Sequence, residues 1–448
     1  MINYKSQFLS MIYFLINDTY RKMGIKNLYY KYMDSQYYSR ESIEAMQTSK
    51  LRALLREAYL NIPYYRELLG NENINLSEFN LSDLHKLPIL TKKILQEQAN
   101  DLINYSLPKS RFIKNSTSGS SGSSTYFYSD KAELPYKIAL NMRQNYWMGI
   151  DQFSKQLWIW GRSFKSKINK WRIIKDRIKG KITISSYNLS DSDIKLIINL
   201  CNKFRPKLIG AYPSHLYLIA LQDEKIKYFP KAISLSGEML YDFQRKQIES
   251  FFEAPVYNYY GARDGGMIAQ ECKEHNGLHI FSENVIVEVL DDNDQPIKEG
   301  IGRIILTLLH NYAMPLIRYE IGDMAEIDNT MWEKCECGVT LPRIKRIIGR
   351  TFDLITFPNG NKVGGTFWTL LMRSIEDVDR FQVYQDNIGH IKITYTSKSI
   401  NDIDKNLILK KIYEYGGKNT FVEMERVNYL EDRASVGKYQ FVKSDYSK

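Results

Sequence analysis

From about residue 157 onward, short runs rich in β-branched and aromatic residues alternate with amphipathic helical stretches, and this alternation restricts the fold more than any other feature. "LWIWG", "PKLIGAY", "AISLSG", "APVYNYYG" and "GRIILTLL" read as strands. Among them, "KLIINLCNKF" and "PSHLYLIALQDE" read as helices, the second with Pro213 at its first position, where a missing N–H is no loss. Strands separated by helices pack as a largely parallel sheet, so the expected class is α/β. Cys201 falls in an apolar helical stripe and reads as core.

Upstream the texture is different. Residues 41–70 carry apolar positions at helical spacing up to Asn61-Ile62-Pro63, where the proline ends the pattern. A second helical run follows Thr91, which is placed as an N-cap, so about residues 1–100 read as a helical N-terminal part. Beyond Gly349-Arg350 an alternating strand, "GHIKITYTS", and a helix, "KNLILKKIYEYG", are enough for a separate small unit. The expected division is therefore 1–348 and 349–448, the second part lid-like.

A net charge of +11 favours anionic partners, and it is concentrated in Arg162–Lys181, with nine Lys or Arg against the single acid Asp176. This segment reads as a solvated basic face, or as one that meets a phosphate-bearing substrate or the inner face of a membrane. Its basic residues are not interleaved with an RNA-binding motif of recognised type, so nucleic acid is not an expected partner. The apolar run "FLSMIYFLI" is far short of a membrane span and no small-residue cleavage site follows it. A cytoplasmic location is expected, at most peripheral at the membrane. Four cysteines in 448 residues do not make a disulfide framework.

The stretch "NSTSGSSGSST", residues 115–125, has no apolar residue. Its flanks "RFIKN" and "TYFYS" alternate like strands, so the loop joins two strands of one hairpin. Gly119 and Gly122 permit turns that point successive N–H groups inward, and Ser116, Thr117, Ser118, Ser120, Ser121, Ser123, Ser124 and Thr125 add hydroxyls. Such a concavity suits a polyphosphate, although composition alone leaves a slack Ser/Gly loop open. It lacks the Gly-Lys-Ser/Thr ending of a Walker A loop.

Four further stretches follow in order. "YNYYGARDGGMIAQEC" sets Tyr259 and Tyr260 before Gly261 and puts Asp264 four residues past Tyr260: an aromatic face for a base and an oxygen ligand for Mg²⁺. "MPLIRYEIGDMAEI" carries Arg318 and Asp323, "IIGRTFDLI" carries Arg350, and "RASVGKYQFV" carries Lys438 near the end. Together with "SGEML" these motifs resemble the adenylate-forming superfamily in its phenylacetate-CoA ligase-like and CapK-like branch. "LRALLREAYLNIPYYREL", "GAYPS" and "GLHIFSENVIVEV" are similar to that branch too, so the resemblance covers almost the whole chain.

The resemblance implies a large N-terminal domain of stacked α/β sheets with a small barrel, and a mobile C-terminal α+β domain. It implies an ATP-dependent, AMP-forming enzyme that activates a carboxylic acid and passes the acyl group to CoA, an amine or an amino sugar of a surface polysaccharide precursor. A nucleotidyltransferase that leaves AMP on a phenolic acceptor is the alternative within the same branch. By the same resemblance, residues 116–125 hold the ATP β- and γ-phosphates, and Ser236, Gly237 and Glu238 line the adenine. Tyr260 stacks on the base beside Tyr259, Asp264 binds Mg²⁺, Asp323 binds the ribose, Arg350 contacts ribose or phosphate, and Lys438 reaches the α-phosphate. Three positions depart from the family pattern: the loop has no lysine near its end, Asp264 stands where Glu is usual, and Phe352 replaces a hinge acid.

Cys272, Cys335 and Cys337 form a further constellation, with "CECG" a tight turn closed by Gly338. Three thiolates and one imidazole make a closed tetrahedral Zn²⁺ site, with His279 of the "GLH" motif as the fourth ligand and His275 the runner-up. Unliganded reduced thiols are the other reading. Trp147, Trp160, Tyr212 and Tyr259 are the expected lining of the acid pocket, which would suit an aromatic or a small polar acid.

Overall fold

The structure is a computed structural model that describes residues 18, 23–71, 74–117, 125–160, 180–185, 191–224, 226–350, 355–363, 368, 371–372, 375, 378–397, 405–430 and 442–445. The chain divides into two compact units, Met1–Ile321 with Glu326–Arg346, and Gly322–Ala325 with Ile347–Lys448.

The first unit opens with helices α1 (Ile25–Ser35), α2 (Arg40–Asn61), α3 (Pro63–Asn71) and α4 (Lys92–Glu97). The Ser39 hydroxyl caps α2 by accepting from the Ser42 N–H, and Ile62 turns extended because Pro63 disfavours a helical residue before it. Ile43, Leu51, Leu54, Leu55 and Ala58 form its buried stripe. Thr91 caps α4 through the Ile94 N–H, as its position in the sequence predicts.

Strands β1 (Phe112–Thr117) and β2 (Thr125–Asp130) pair antiparallel with Thr117 opposite Thr125, so the Ser/Gly loop does span one hairpin. Buried Asp130 fixes the hairpin base by accepting from Arg111 Nε at 3.0 Å, while its own N–H donates to Asn311 Oδ1.

The main sheet contains β3 (Gln156–Trp160), β4 (Lys181–Ser185), β5 (Leu208–Ala211), β6 (Ala232–Ser236), β7 (Val256–Ala262), β8 (Gly266–Glu271), β9 (Leu278–Ile280) and β13 (Arg343–Ile344), in the order β13-β9-β8-β7-β6-β5-β3-β4. The five strands β4-β3-β5-β6-β7 are parallel; β8, β9 and β13 add antiparallel. The largely parallel sheet expected from the sequence thus holds for only part of it. The connection from β7 to β8 is a short turn, and only antiparallel strands can be joined that way.

Every residue of β5 and β6 is buried, the mark of a sheet covered on both faces. On one face Ile209, Ile233 and Leu235 pack with residues of α6 (Asp191–Phe204), α7 (Pro213–Ala220) and α8 (Asp242–Phe252), and Cys201 lies in this core. On the other, Trp158, Leu208 and Tyr257 pack with Met148, which follows α5 (Leu134–Trp147). Strands β10 (Val285–Leu290) and β11 (Gly300–Leu308) pair antiparallel in a second sheet with β12 (Tyr319–Ile327).

A buried ion pair ties the helical part to these sheets. Arg143 on α5 donates twice to Glu283, at 2.6 and 2.9 Å, and neither side chain is more than 1% exposed. Ser35 of α1 donates to the same carboxylate, and Lys50 of α2 donates to the Glu283 carbonyl at 2.6 Å. Burial pushes the Glu283 pKa up, but the Arg143 guanidinium outweighs it and the carboxyl stays below its usual range.

In the second unit, β14 (Arg346–Arg350) precedes a small hairpin of β15 (Ile355–Thr356) and β16 (Lys362–Val363). Strands β17 (Val378–Asn387), β18 (His390–Ser397), β19 (Phe421–Arg426) and β20 (Val442–Ser444) form a sheet in the order β19-β18-β17-β20. Ile408 and Ile412 of helix α9 (Lys405–Gly416) pack with Ile391, Ile393 and Tyr395 of β18 and with Trp368. Among the described residues no helix is long and apolar enough to cross a membrane.

Candidate active site and metal centre

The C-terminal ends of β3, β5, β6 and β7 lie side by side, the edge at which open α/β sheets bind ligands. Trp160 closes β3 and stacks on Tyr212, which follows β5, with ring centroids 4.3 Å apart. Ser236 ends β6 opposite Tyr259 of β7. Gly237 follows with φ +83°, and a Cβ there would sit 2.7 Å from the Tyr212 ring, so the turn requires glycine twice over. The Glu238 carboxylate accepts from the Ser214 N–H at the start of α7. Tyr260 is buried, and strand alternation turns it to the opposite face of the sheet from Tyr259.

Three of the sequence motifs meet here. Arg263 Nη1 donates to the carbonyl of Ser116 at 2.8 Å, joining the "YGARD" turn to the root of the Ser/Gly loop. Next to it, Asp264 is 7% exposed, and its Oδ2 accepts from the Tyr319 hydroxyl of "IRYEIGD" at 2.8 Å. Among the described residues Oδ1 has no hydrogen-bond partner, so one oxygen is fixed while the other is left for a cation. Arg263 and Tyr319 lie within the "YGARD" and "IRYEIGD" motifs, but only the fold shows the contacts that tie them to Ser116 and Asp264.

Ser116 and Thr117 end β1, whereas Ser118, Gly119, Ser120, Ser121 and Gly122 lie outside the described residues. So do Lys438, Phe352 and Arg162–Lys179 of the basic segment. Asp323 is half-buried on β12 and Arg350 ends β14. Arg318 has a structural place: at φ +51° and 3% exposed, it pairs with Glu288 at 3.0 Å and donates to the Leu87 carbonyl. Trp147 belongs to a hydrophobic core cluster with Phe281 and Leu140. Its ring stacks on Phe281 and its Nε1–H donates to Gln36, because α5 turns that position into the core.

Cys272, His279, Cys335 and Cys337 converge, with ligand atoms within 4.8 Å of one another. Cys272 Sγ lies 3.8 Å from Cys335 Sγ, and Cys337 Sγ lies 3.6 Å from His279 Nε2. A tetrahedral Zn²⁺ with its ordinary bond lengths spaces two sulfurs by about 3.8 Å and a sulfur and a nitrogen by about 3.5 Å. His279 Nδ1 donates to the Leu341 carbonyl at 3.1 Å, so Nε2 presents its lone pair to the cysteines. The hydrogen bond from Cys272 pulls the Cys337 thiol down to about 3, which keeps one thiolate in the cluster before any cation is counted. Gly338, at φ +93°, lets its N–H close the turn on the Cys335 carbonyl. His275 lies outside this cluster: its Nδ1 faces Glu271 at 3.1 Å and Arg245 at 3.4 Å.

No family model matches the chain. Protein CapK of Staphylococcus aureus is 30% identical over 387 residues, which cover 83% of this chain and 82% of that protein. The chain belongs to the adenylate-forming family, in its CapK-like and phenylacetate-CoA ligase-like branch. A phenylacetate-coenzyme A ligase of Thermus thermophilus is 24% identical over 84% of this chain and 86% of its own length. The fold agrees: a 2-hydroxyisobutyryl-CoA ligase in its postadenylation state superposes with a TM-score of 0.71 at 17% identity, covering 91% of each chain. An amide bond synthetase from Marinactinospora thermotolerans superposes with a TM-score of 0.52 at 13% identity, covering 72% of this chain and 66% of that one. The protein is an ATP-dependent, acyl-adenylate-forming ligase.

Proposed function

We propose that this member of the family uses Mg²⁺·ATP to activate a carboxylic acid and then hands the acyl group to CoA or to an amine, such as that of an amino sugar for a surface polysaccharide. The convergence of Ser116, Arg263, Asp264 and Tyr319 at the C-terminal edge of the parallel strands carries this reading. Residues 116–125 hold the β- and γ-phosphates, Ser236–Glu238 and Tyr260 frame the adenine, and Asp323 and Arg350 take the ribose side.

In the first step a carboxylate oxygen bonds to the α-phosphorus and the bond to the leaving pyrophosphate breaks. Anion meets anion there, so the protein's work is positioning and charge neutralisation. Arg263 keeps the loop root beside Asp264, and Asp264 offers its free oxygen to the cation that neutralises the phosphates. Lys438 supplies the ammonium at the α-phosphate. In the second step the thiol or amine attacks the acyl carbon and AMP leaves. Both acceptors occur among the similar proteins: a CoA ligase among the relatives and an amide bond synthetase among the structures of like fold.

Pyrophosphate release from Mg²⁺·ATP across a panel of aryl, short acyl and amino acids tests the reading. Release that depends on one acid, with AMP appearing only when an acceptor is added, is expected. AMP retained on a product without any acid would replace this reading by nucleotidyl transfer.

The Cys/His cluster holds a structural Zn²⁺ in this reading; all four positions go to protein donors, none to water. Elemental analysis of protein purified without chelator is expected to give about one zinc per chain. Chelation then lowers the melting temperature of the first unit. Metal-free protein with an unchanged melting temperature would mean reduced thiols alone.

A further inference from the structure

On the face of the main sheet that α5 covers, the first unit encloses a cavity of about 100 Å³. The polar part of its lining is Asn141, Gln144 and Asn145 of α5, Ser234 of β6, Tyr259 of β7 and Gln270 of β8; two methionines, a leucine and a tryptophan complete it, and no charged side chain lines it. Four of these are nine-tenths buried or more: Gln270 at 1% exposure, Gln144 and Asn145 at 4%, and Ser234 at 8%. They share few hydrogen bonds. Asn141 Nδ2 donates to Gln144 Oε1 at 3.2 Å, Gln270 Nε2 reaches the Gln144 carbonyl at 3.4 Å, and Asn145 Nδ2 reaches Gln152 Oε1 at 3.4 Å.

That leaves Gln144 Nε2, Asn145 Oδ1, Gln270 Oε1 and the Ser234 hydroxyl without a hydrogen-bond partner among the described residues. These four atoms are reached from the cavity rather than sealed in protein, so the space offers unspent donors and acceptors to a polar occupant. The space also adjoins the active-site edge. Ser234 lies two residues below Ser236 on the same face of β6, and Tyr259 is the strand partner of Ser236.

We propose that this cavity receives the far end of the acid and selects a short, neutral, polar tail, a hydroxyl or a carboxamide, over an aryl ring. The proposal rests on the carboxylate-activation reading above. Donors and acceptors are both on offer, which suits a group that gives and takes hydrogen bonds. A charged tail would be buried without a counter-ion. An aryl ring is excluded by size, since a cavity that holds benzene measures about 150 Å³.

The test is ATP–pyrophosphate exchange by the full chain with hydroxybutyrate, succinamate, valerate and phenylacetate. The hydroxy or carboxamide acid is expected to exceed valerate and phenylacetate in kcat/KM by at least about 10-fold, because a site built to hydrogen-bond rejects analogues that lack the polar group. Gln144→Met and Ser234→Ala should each remove most of that preference without lowering exchange with valerate. Ser234→Ala deletes a single oxygen and needs no repacking, so it stays informative if the longer replacement misfolds. Faster exchange with phenylacetate than with either polar acid overturns the polar tail and leaves carboxylate activation standing. A polar preference untouched in both variants also overturns it. If no acid supports exchange, the two readings fall together.

Discussion

Lys438→Ala slows pyrophosphate release by about 10²–10³-fold, roughly 3–4 kcal/mol of transition-state stabilisation. In the proposed mechanism the ground state already has its phosphate charge shared among the hydroxyls and N–H groups of residues 116–125 and a cation held by Asp264. What changes along the reaction is charge at the α-phosphorus as the carboxylate closes on it. An ammonium placed there acts on kcat and hardly on ATP affinity. Single-turnover release and ATP titration of the same variant separate the two. Lys438→Arg is expected to recover only part of the rate, since a planar fork does not reproduce a compact point charge. A Lys438→Ala rate within about threefold of the parent would remove Lys438 from the mechanism.

Glu283→Ala destabilises the first unit by about 3–5 kcal/mol, because the Arg143 guanidinium is then left buried with no counter-charge. Arg143 is fully buried, and among the described residues it keeps, besides Glu283, only the Tyr32 carbonyl as a hydrogen-bond partner. Urea titration followed by tryptophan fluorescence reads this directly, since the Trp147 ring lies 5.1 Å from the Arg143 guanidinium carbon. With two units in the chain, the transition that Trp147 reports is the one to compare. Replacing both partners, Arg143→Met with Glu283→Leu, is expected to restore most of the loss. A loss below about 1 kcal/mol for Glu283→Ala would show that water or a shifted side chain relieves Arg143.

Local chemistry was legible in the sequence wherever one residue decides it. Pro63 ends α2, Thr91 caps α4, Pro213 opens α7, and the alternation on both sides of the Ser/Gly loop makes a hairpin. The cysteine cluster was legible down to His279, because "CECG" and "GLH" leave few other donors nearby. Strand direction was not: the short link between β7 and β8 forces the antiparallel half of the sheet, and nothing in strand composition marks it. Trp147 looked like a pocket residue because aromatic rings serve cores and pockets alike, and only the facing of α5 decides. Arg263 and Glu283 act across 147 and 140 residues of chain, distances at which sequence pattern carries no register. The polar cavity was invisible for the same reason, since Gln144, Ser234 and Gln270 come from three separate elements.

Among the described residues the main sheet has eight strands, and a sheet border is where another chain's backbone could dock and grow into an aggregate. At one border the outermost strand, β13, is only two residues long. Its neighbour β9 carries His279, drawn inward toward the three thiols, and Arg343 at the very margin donates its guanidinium to the Asn276 and Thr330 carbonyls. The cluster that looks like a mere staple therefore also braces that border, and if it holds the proposed ion, removing that ion should show up as self-association at raised protein concentration as well as lower heat resistance.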